Sequence, residues 1–185
     1  MFLGFNTLAF SQTEVAISEF RYANNSLDLR VRPVFYFMNS ASYRHEIFVG
    51  KKFNKKTTLF SYSQYNYNNN SFKTGFRLDH KLFLNKITIN NQFRYLKTLN
   101  NKGSDFFAYI TDLFFPTVSN IKIGARSFLI YTNNGEGFIN SKKFIGPSLF
   151  YSKKKYSIFL NYLPDRNKNS DSYFLLLMLI IKING

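Results

Sequence analysis

FKTGFRLDHKLFLNKITINNQFRYL, residues 72–96, is the stretch that decides the fold. Apolar side chains dominate alternate positions, from Phe72 and Phe76 before a break at 84–85 to Ile87 and Phe93 after it, with His80 as an exception. Most positions between them, 73–81 and 86–94, carry charged, amide, hydroxyl or glycine residues. Because successive side chains of a strand point to opposite faces, this pattern predicts two strands joined by a tight turn, with one apolar and one basic face.

The same alternation runs through most of the chain and predicts strands at 15–22, 27–37, 43–53, 57–67, 72–83, 86–96, 105–115, 121–131, 143–152, 156–163 and 173–183. Most of these segments are longer than the five or six residues usual in globular sheets, and about 9–11 residues suffice for a tilted strand to cross a bilayer. Long breaks at 96–104, 132–142 and 164–172 alternate with short ones at 84–85 and 153–155. The ten segments from 27 to 183 predict an all-β, antiparallel up-and-down transmembrane β-barrel of about 10 strands. Counting 15–22 as an eleventh strand, an even number requires the first dozen residues as another, which gives 12 as the alternative.

The question of which face looks inward separates a membrane barrel from a soluble, lipocalin-like barrel that binds an apolar ligand. Gly75, Gly124 and Gly146 fall on the polar parity, where they suit a crowded interior and would weaken an exposed strand face. Tyrosines cluster at strand ends, as in an aromatic belt at lipid head groups. The sequence contains no run of 18 apolar residues, so it predicts no membrane-spanning helix. These features favour the membrane barrel, with the apolar face toward lipid.

The composition is basic and aromatic, with a net charge of +15 and 19% aromatic residues among 185. The charge suits an anionic partner such as small anionic solutes or lipid head groups, and it is equally consistent with the Lys-, Asn- and Ile-rich usage of an AT-rich genome. Cysteine is absent, which excludes disulfides and thiolate chemistry. Residues 1–12 are mostly apolar and end in a signal-like segment. We expect them to be the tail of a truncated signal peptide, or else a first strand, before a single barrel domain at 13–185.

The polar parity of the predicted strands gives the candidate functional residues. If that face is inside, it supplies lumen-lining side chains at Arg30, Arg32, Lys73, Arg77, Asp79, Lys81, Arg94, Lys122 and Arg126. Buried charges must be paired or hydrated, and acids on the same parity can neutralise only some of the bases. Two alternatives remain open: a lumen plugged by a salt-bridge network, or a narrow passage that prefers anions.

Other function classes find little support in the sequence. The two histidines, His45 and His80, lie on the apolar parity without polar partners on the same face, so we predict no enzyme. Neither has a ligand-spaced partner, so we predict no metal site, and no phosphate loop or other cofactor motif occurs. The aromatic and basic side chains lie on opposite faces, which argues against nucleic-acid binding.

Three stretches carry a resemblance to a known class of proteins: FSQ at 10–12, IGPSLFYSKKKYSIFLNYLPD at 145–165 and YFLLLMLIIKI at 173–183. The chain resembles the uncharacterised small outer-membrane β-barrel proteins of Gram-negative bacteria. The resemblance implies a location in the bacterial outer membrane, the lipid bilayer as partner, and a porin-like, structural or undefined role. The chain departs from such barrels at its last residues, Asn184 and Gly185, where they commonly carry an aromatic residue.

Overall fold

The computed structural model describes residues 14–37, 42–100, 104–118, 120–133, 135–166 and 173–184, which form one closed β-barrel. The predicted signal-peptide tail, residues 1–12, lies outside the described residues. The eleven strands are β1 (Glu14–Ala23), β2 (Leu27–Tyr36), β3 (Ser42–Lys52), β4 (Thr57–Asn66), β5 (Ser71–Leu84), β6 (Ile87–Thr98), β7 (Phe106–Val118), β8 (Ile121–Asn133), β9 (Phe138–Ser152), β10 (Tyr156–Pro164) and β11 (Tyr173–Asn184).

The predicted all-β barrel is confirmed, and its strand count falls between the expected 10 and the alternative 12. Each strand from β2 to β11 pairs antiparallel with the strand before it, and β1 closes the barrel by pairing parallel with β11. An odd count requires this, because first and last strands of a meander with an odd number of strands run in the same direction. Val15 lies opposite Leu176 across the closing pair, and Arg21 lies opposite Lys182.

The connections differ between the two ends of the barrel. At one end, here called the short-turn rim, two to four residues join β1 to β2, β3 to β4, β5 to β6, β7 to β8, and β9 to β10. At the other end, the long-loop rim, four to eight residues join the remaining pairs. The turn of the opening stretch is formed by Asn85 and Lys86, and Asn85 has a φ of 53°, a left-handed value that asparagine tolerates better than most residues.

The prediction of a long break at 132–142 was wrong. Strand β8 continues to Asn133 and β9 begins at Phe138, which leaves only four residues between them. Asn140 and Lys142 pair with Tyr131 and Ile130, and the register shifts at this point. The polar residues at the start of β9 look like loop residues in the sequence, but backbone pairing extends the hairpin through them.

The alternation of side chains places an apolar surface outside. Phe76, Ile47, Val49 and Leu160 are between 43% and 51% exposed. Their strand neighbours on the other parity, such as Arg77 and Phe48, are buried. Among the described residues, no helix is long and apolar enough to cross a membrane.

Candidate functional site

The barrel interior holds a network of ion pairs that joins strands β1, β2 and β3. Arg32 on β2 donates to Glu19 on β1, and its Nη1 donates to Glu46 Oε2 on β3 at 3.1 Å. Glu46 also pairs with Arg44, with Oε1 and Nη2 separated by 2.8 Å. Glu19, Arg32 and Glu46 are at most 3% exposed, so each charge is neutralised by its neighbours rather than by bulk water.

A second group of pairs continues the network toward the short-turn rim. Asp28 accepts hydrogen bonds from Arg21 at 2.5 Å and from Arg30 at 2.8 Å. Arg30 also reaches Asp79 on β5 at 3.3 Å, across the interior from its own strand. Asp79 in turn accepts two bonds from Arg77, at 2.5 and 2.7 Å. The chain of contacts therefore ties β1 and β2 to β5.

Arg126 and Asp112 form a separate pair on strands β8 and β7, where they lie directly opposite each other. The guanidinium donates to both carboxylate oxygens, at 2.5 and 3.0 Å. Such a two-point contact fixes the orientation of the arginine as well as neutralising it. Both side chains are buried.

Aromatic rings support the arginines from the side of β3 and β4. Phe48, Phe60 and Tyr62 are at most 1% exposed and pack together inside the barrel. The guanidinium carbon of Arg30 lies 4.3 Å from the Phe60 ring centre, and that of Arg32 lies 4.8 Å from the Phe48 ring centre. Stacking of this kind stabilises a desolvated cation and restricts its movement. The interior is therefore partly filled by rings, which the sequence pattern assigned mainly to the outside.

Two cavities remain between these side chains. The first, of about 120 Å³, lies toward the short-turn rim, and its lining includes Arg30, Arg77, Asp79 and Lys81. The second, of about 70 Å³, lies toward the long-loop rim, and its lining includes Arg94. Both cavities are also bounded by the same four side chains, which separate them: Arg32, Gln92, Arg126 and Met178. The two spaces are thus adjacent along the barrel.

One wall of the interior is apolar. Val15, Ile17, Leu176 and Met178, from the closing strands β1 and β11, pack with Val34 in a buried cluster. This accounts for the sequence of β11, which is apolar on both parities: one face is outside and the other contacts this cluster. Both cavities therefore have arginines on one side and aliphatic groups on the other.

The nine residues predicted to line the lumen are distributed as follows. Six border the first cavity, namely Arg30, Arg32, Arg77, Asp79, Lys81 and Arg126. Arg94 borders the second cavity together with Arg32 and Arg126. Lys73 lies apart, near the long-loop rim, where it donates to the carbonyl of Ser104 and its Nζ lies 5.4 Å from the Phe106 ring centre. Lys122 is half-buried near the short-turn rim and borders neither cavity.

Several side chains of the site were not among those nine. Glu19 and Arg21 belong to β1, where Val15 and Ile17 share their face, so the segment shows no clear apolar and polar parity. Arg44 was on the polar parity of its strand and could have been included. Met178 could not, because its face of β11 is as apolar as the opposite one.

Neither histidine takes part in the interior network. His80 Nδ1 lies 2.9 Å from Thr57 Oγ1, and His45 Nδ1 lies 2.9 Å from the hydroxyl of Tyr67. Across the described ranges, no group of three or more His, Cys, Asp or Glu side chains could hold a metal ion.

Comparison with known proteins gives a match in fold. No family model and no curated protein matches the sequence. Among solved structures, the chain is similar to a KdgM porin, with a TM-score of 0.52 and 13% sequence identity over 82% of this chain and 81% of that one. At this identity the likeness establishes a shared barrel architecture, consistent with the eleven strands described above.

Proposed function

We propose that the chain is a bacterial outer-membrane β-barrel protein with a non-enzymatic role, whose interior forms a narrow path for small anions. The membrane location is supported by the outer surface, on which apolar side chains are exposed on several strands, among them Ile47 on β3, Phe76 on β5 and Leu160 on β10. In a bilayer core, a closed barrel satisfies every backbone polar group. The name of the similar structure, a porin, agrees with this proposal.

The observation that carries the anion preference is the excess of basic side chains around the two adjoining cavities. Arg30, Arg77 and Lys81 border the first cavity, and Arg44 and Arg94 border the second. Among the residues that the structure describes, carboxylates border only the first. Rings of cationic side chains favour anions in pores, because they replace part of the hydration that an anion loses in a narrow passage.

A closed barrel of structural role is the second candidate, and a specific observation favours it. The paired side chains of Arg32 and Arg126 border both cavities and separate them, and the packed rings of Phe48 and Phe60 fill another part of the interior. A barrel of this size is wide enough for its own side chains and little more. In this alternative the charges serve only to bind the strands together.

Lysines at the short-turn rim supply a further part of the proposal. Lys55 and Lys56 join β3 to β4, and three more lysines at 153–155 join β9 to β10; all are exposed. Apolar Phe53 and Phe83 are exposed close to the same rim. We expect these lysines to contact anionic lipid head groups, since each basic residue near such a surface contributes about 1 kcal/mol.

Extraction of the expressed protein from cells tests the membrane part of the proposal. We expect it to stay in the membrane fraction until detergent is added, and to migrate differently in gels with and without heating. Recovery as a soluble protein without detergent would overturn the membrane location and favour a soluble barrel with an apolar ligand.

Reconstitution into planar bilayers tests the path. Under a potassium chloride gradient, we expect discrete conductance steps and a reversal potential of the sign that chloride permeation gives. A detergent-only preparation is the control. Insertion without conductance above that control would leave the closed structural barrel, and a potassium-selective current would overturn the anion preference.

A further inference from the structure

Arg94 differs from the other arginines of the barrel interior. Each of the others has a carboxylate oxygen within hydrogen-bond distance: Arg21, Arg30, Arg32, Arg44, Arg77 and Arg126. Within the described part of the chain, the guanidinium of Arg94 has one hydrogen bond, from Nη2 to Gln92 Oε1 at 2.8 Å, and its Nε is buried without a partner.

The surrounding charges increase this imbalance. Arg77 lies directly opposite Arg94 on the neighbouring strand, so two guanidinium groups face the interior at the same level. The interior carboxylates are already engaged: Asp79 binds Arg77 and Arg30, and Glu46 binds Arg32 and Arg44. A buried charge without a counter-charge costs several kcal/mol in proteins. Neither of these carboxylates is therefore left to neutralise Arg94.

The second cavity is built to receive such a partner. Four arginines border it, Arg32, Arg44, Arg94 and Arg126, and its described lining includes no carboxylate. Gln92 and Tyr36 add side-chain groups that can donate hydrogen bonds. Its volume of about 70 Å³ exceeds the roughly 10–15 Å³ that a single water molecule needs, so one small ion fits.

The first cavity differs from the second in the carboxylates of its lining. Glu19, Asp79 and Asp112 border it, and each arginine in its lining has a carboxylate partner.

At the second cavity, Arg32, Arg44 and Arg126 are paired with carboxylates that do not border it. Arg94 has no such partner among the described residues, so its charge is the one left for a ligand. The planar guanidinium group, with its N–H groups in a fixed fork, matches the paired oxygens of a carboxylate or a phosphate better than it matches a spherical halide.

We propose that the second cavity is a binding site for a small oxyanion, a carboxylate or a phosphate group, held by Arg94 with Gln92 and Tyr36. The inference deepens the proposed anion path and rests on it in one respect: an anion must be able to enter the interior. It does not require that the anion pass through to the other rim.

Binding of inorganic phosphate to the purified barrel in detergent tests the site. With ionic strength held constant by chloride, we expect phosphate to raise the unfolding temperature of the wild-type protein in a saturable way. Arg94→Gln should remove this effect, and Arg94→Lys, which keeps the charge and loses the fork, should weaken phosphate binding at least tenfold. Lys97→Gln, an exposed charge three residues further along β6, is the matched control and should bind like the wild type.

A second measurement distinguishes loss of phosphate binding from a general loss of folding. Because Arg94→Gln removes an uncompensated buried charge, it should unfold at a higher temperature than the wild type in phosphate-free buffer, while losing the response to phosphate. An unchanged phosphate response in Arg94→Gln would overturn the site, as would the absence of any response in the wild type beyond that in chloride.

Conductance of the same preparations distinguishes the two proposals. Phosphate binding that depends on Arg94 in a barrel without conductance would support the site and refute the continuous path. Anion-selective conductance without phosphate binding would refute the site and retain the path.

Discussion

Arg77 and Arg94 occupy directly opposite positions on β5 and β6, and only Arg77 has a carboxylate partner. Like charges at opposite positions of paired strands destabilise a sheet. The pairing is tolerated because Asp79 holds the Arg77 guanidinium through two hydrogen bonds, at 2.5 and 2.7 Å. Among the described arginines of the interior, Arg94, beside the second cavity, is therefore the one without a carboxylate partner.

Removing one member of the Arg126–Asp112 pair should destabilise the barrel. Asp112→Asn leaves the buried guanidinium without its counter-charge, and we expect a loss of about 3–5 kcal/mol in the free energy of unfolding. Denaturant unfolding in detergent micelles measures it. The double variant Asp112→Asn with Arg126→Gln should recover most of the loss. Equal stability of Asp112→Asn and wild type would mean that water or another group already neutralises Arg126.

A charge on the outer face should report whether that face meets lipid. Leu160 is 43% exposed in the middle of β10, and Leu160→Arg should cost about 2–4 kcal/mol in a lipid bilayer. Phe53→Arg, at the short-turn rim, is the matched control and should cost about 0–1 kcal/mol. Folding equilibria in phospholipid vesicles give both values. A Leu160→Arg variant as stable as the wild type would argue for water at this surface.

Three strand glycines, Gly75, Gly124 and Gly146, lie where the backbone of the neighbouring strand leaves no room for a Cβ. A Cβ added to Gly124 would lie 1.8 Å from the carbonyl oxygen of Leu113 on the paired strand, a contact that real Cβ atoms essentially never make. We therefore expect Gly124→Ala to fold with strongly reduced yield, since backbone atoms on β7 would have to move. Ala125→Gly, at the next, outward position, should fold normally. The folded fraction is read from the heat-dependent shift in gel migration.

Met178 should control the passage between the two cavities, because it borders both. Met178→Ala is expected to raise single-channel conductance, with a stability loss of about 2–5 kcal/mol from the shortened buried side chain. Leu179→Ala, on the outward-facing neighbour, should leave conductance unchanged. If both variants conduct like the wild type, the path runs elsewhere or the cavities do not communicate.

The fold was largely predictable from the sequence because strand alternation is a local property. The stretch at 72–96 contains its own hairpin signal, and β5 and β6 end within a few residues of the predicted bounds. Strand β9 was predicted too short, because Asn140 and Lys142 resemble loop residues while their backbones are paired. The parallel closing pair was not foreseen, since it joins residues such as Val15 and Leu176 that are far apart in the chain.

The arrangement of the side chains around the two cavities was less predictable from the sequence. The alternation of side chains places Arg94 and Arg32 on the inner face of the barrel wall. Which acids reach them depends on the register of strands distant in sequence. That register brings Glu19 and Glu46 to Arg32 and, among the described residues, no carboxylate to Arg94. The aromatic residues inside, such as Phe48 and Phe60, were hidden by the general abundance of phenylalanine. The role of the nine predicted residues in lining a path remains a prediction.

The parallel closure of β1 on β11 has a consequence for assembly. The two strands enter the barrel at the long-loop rim and leave it at the short-turn rim, so Glu14 and Asn184 lie at opposite ends of the wall. No short hairpin can join them, and their pairing closes the ring across nine intervening strands. This junction is the seam of the barrel: it bridges the longest sequence separation, it uses the slightly weaker parallel hydrogen bonding, and it should be the first place to part when the cylinder opens.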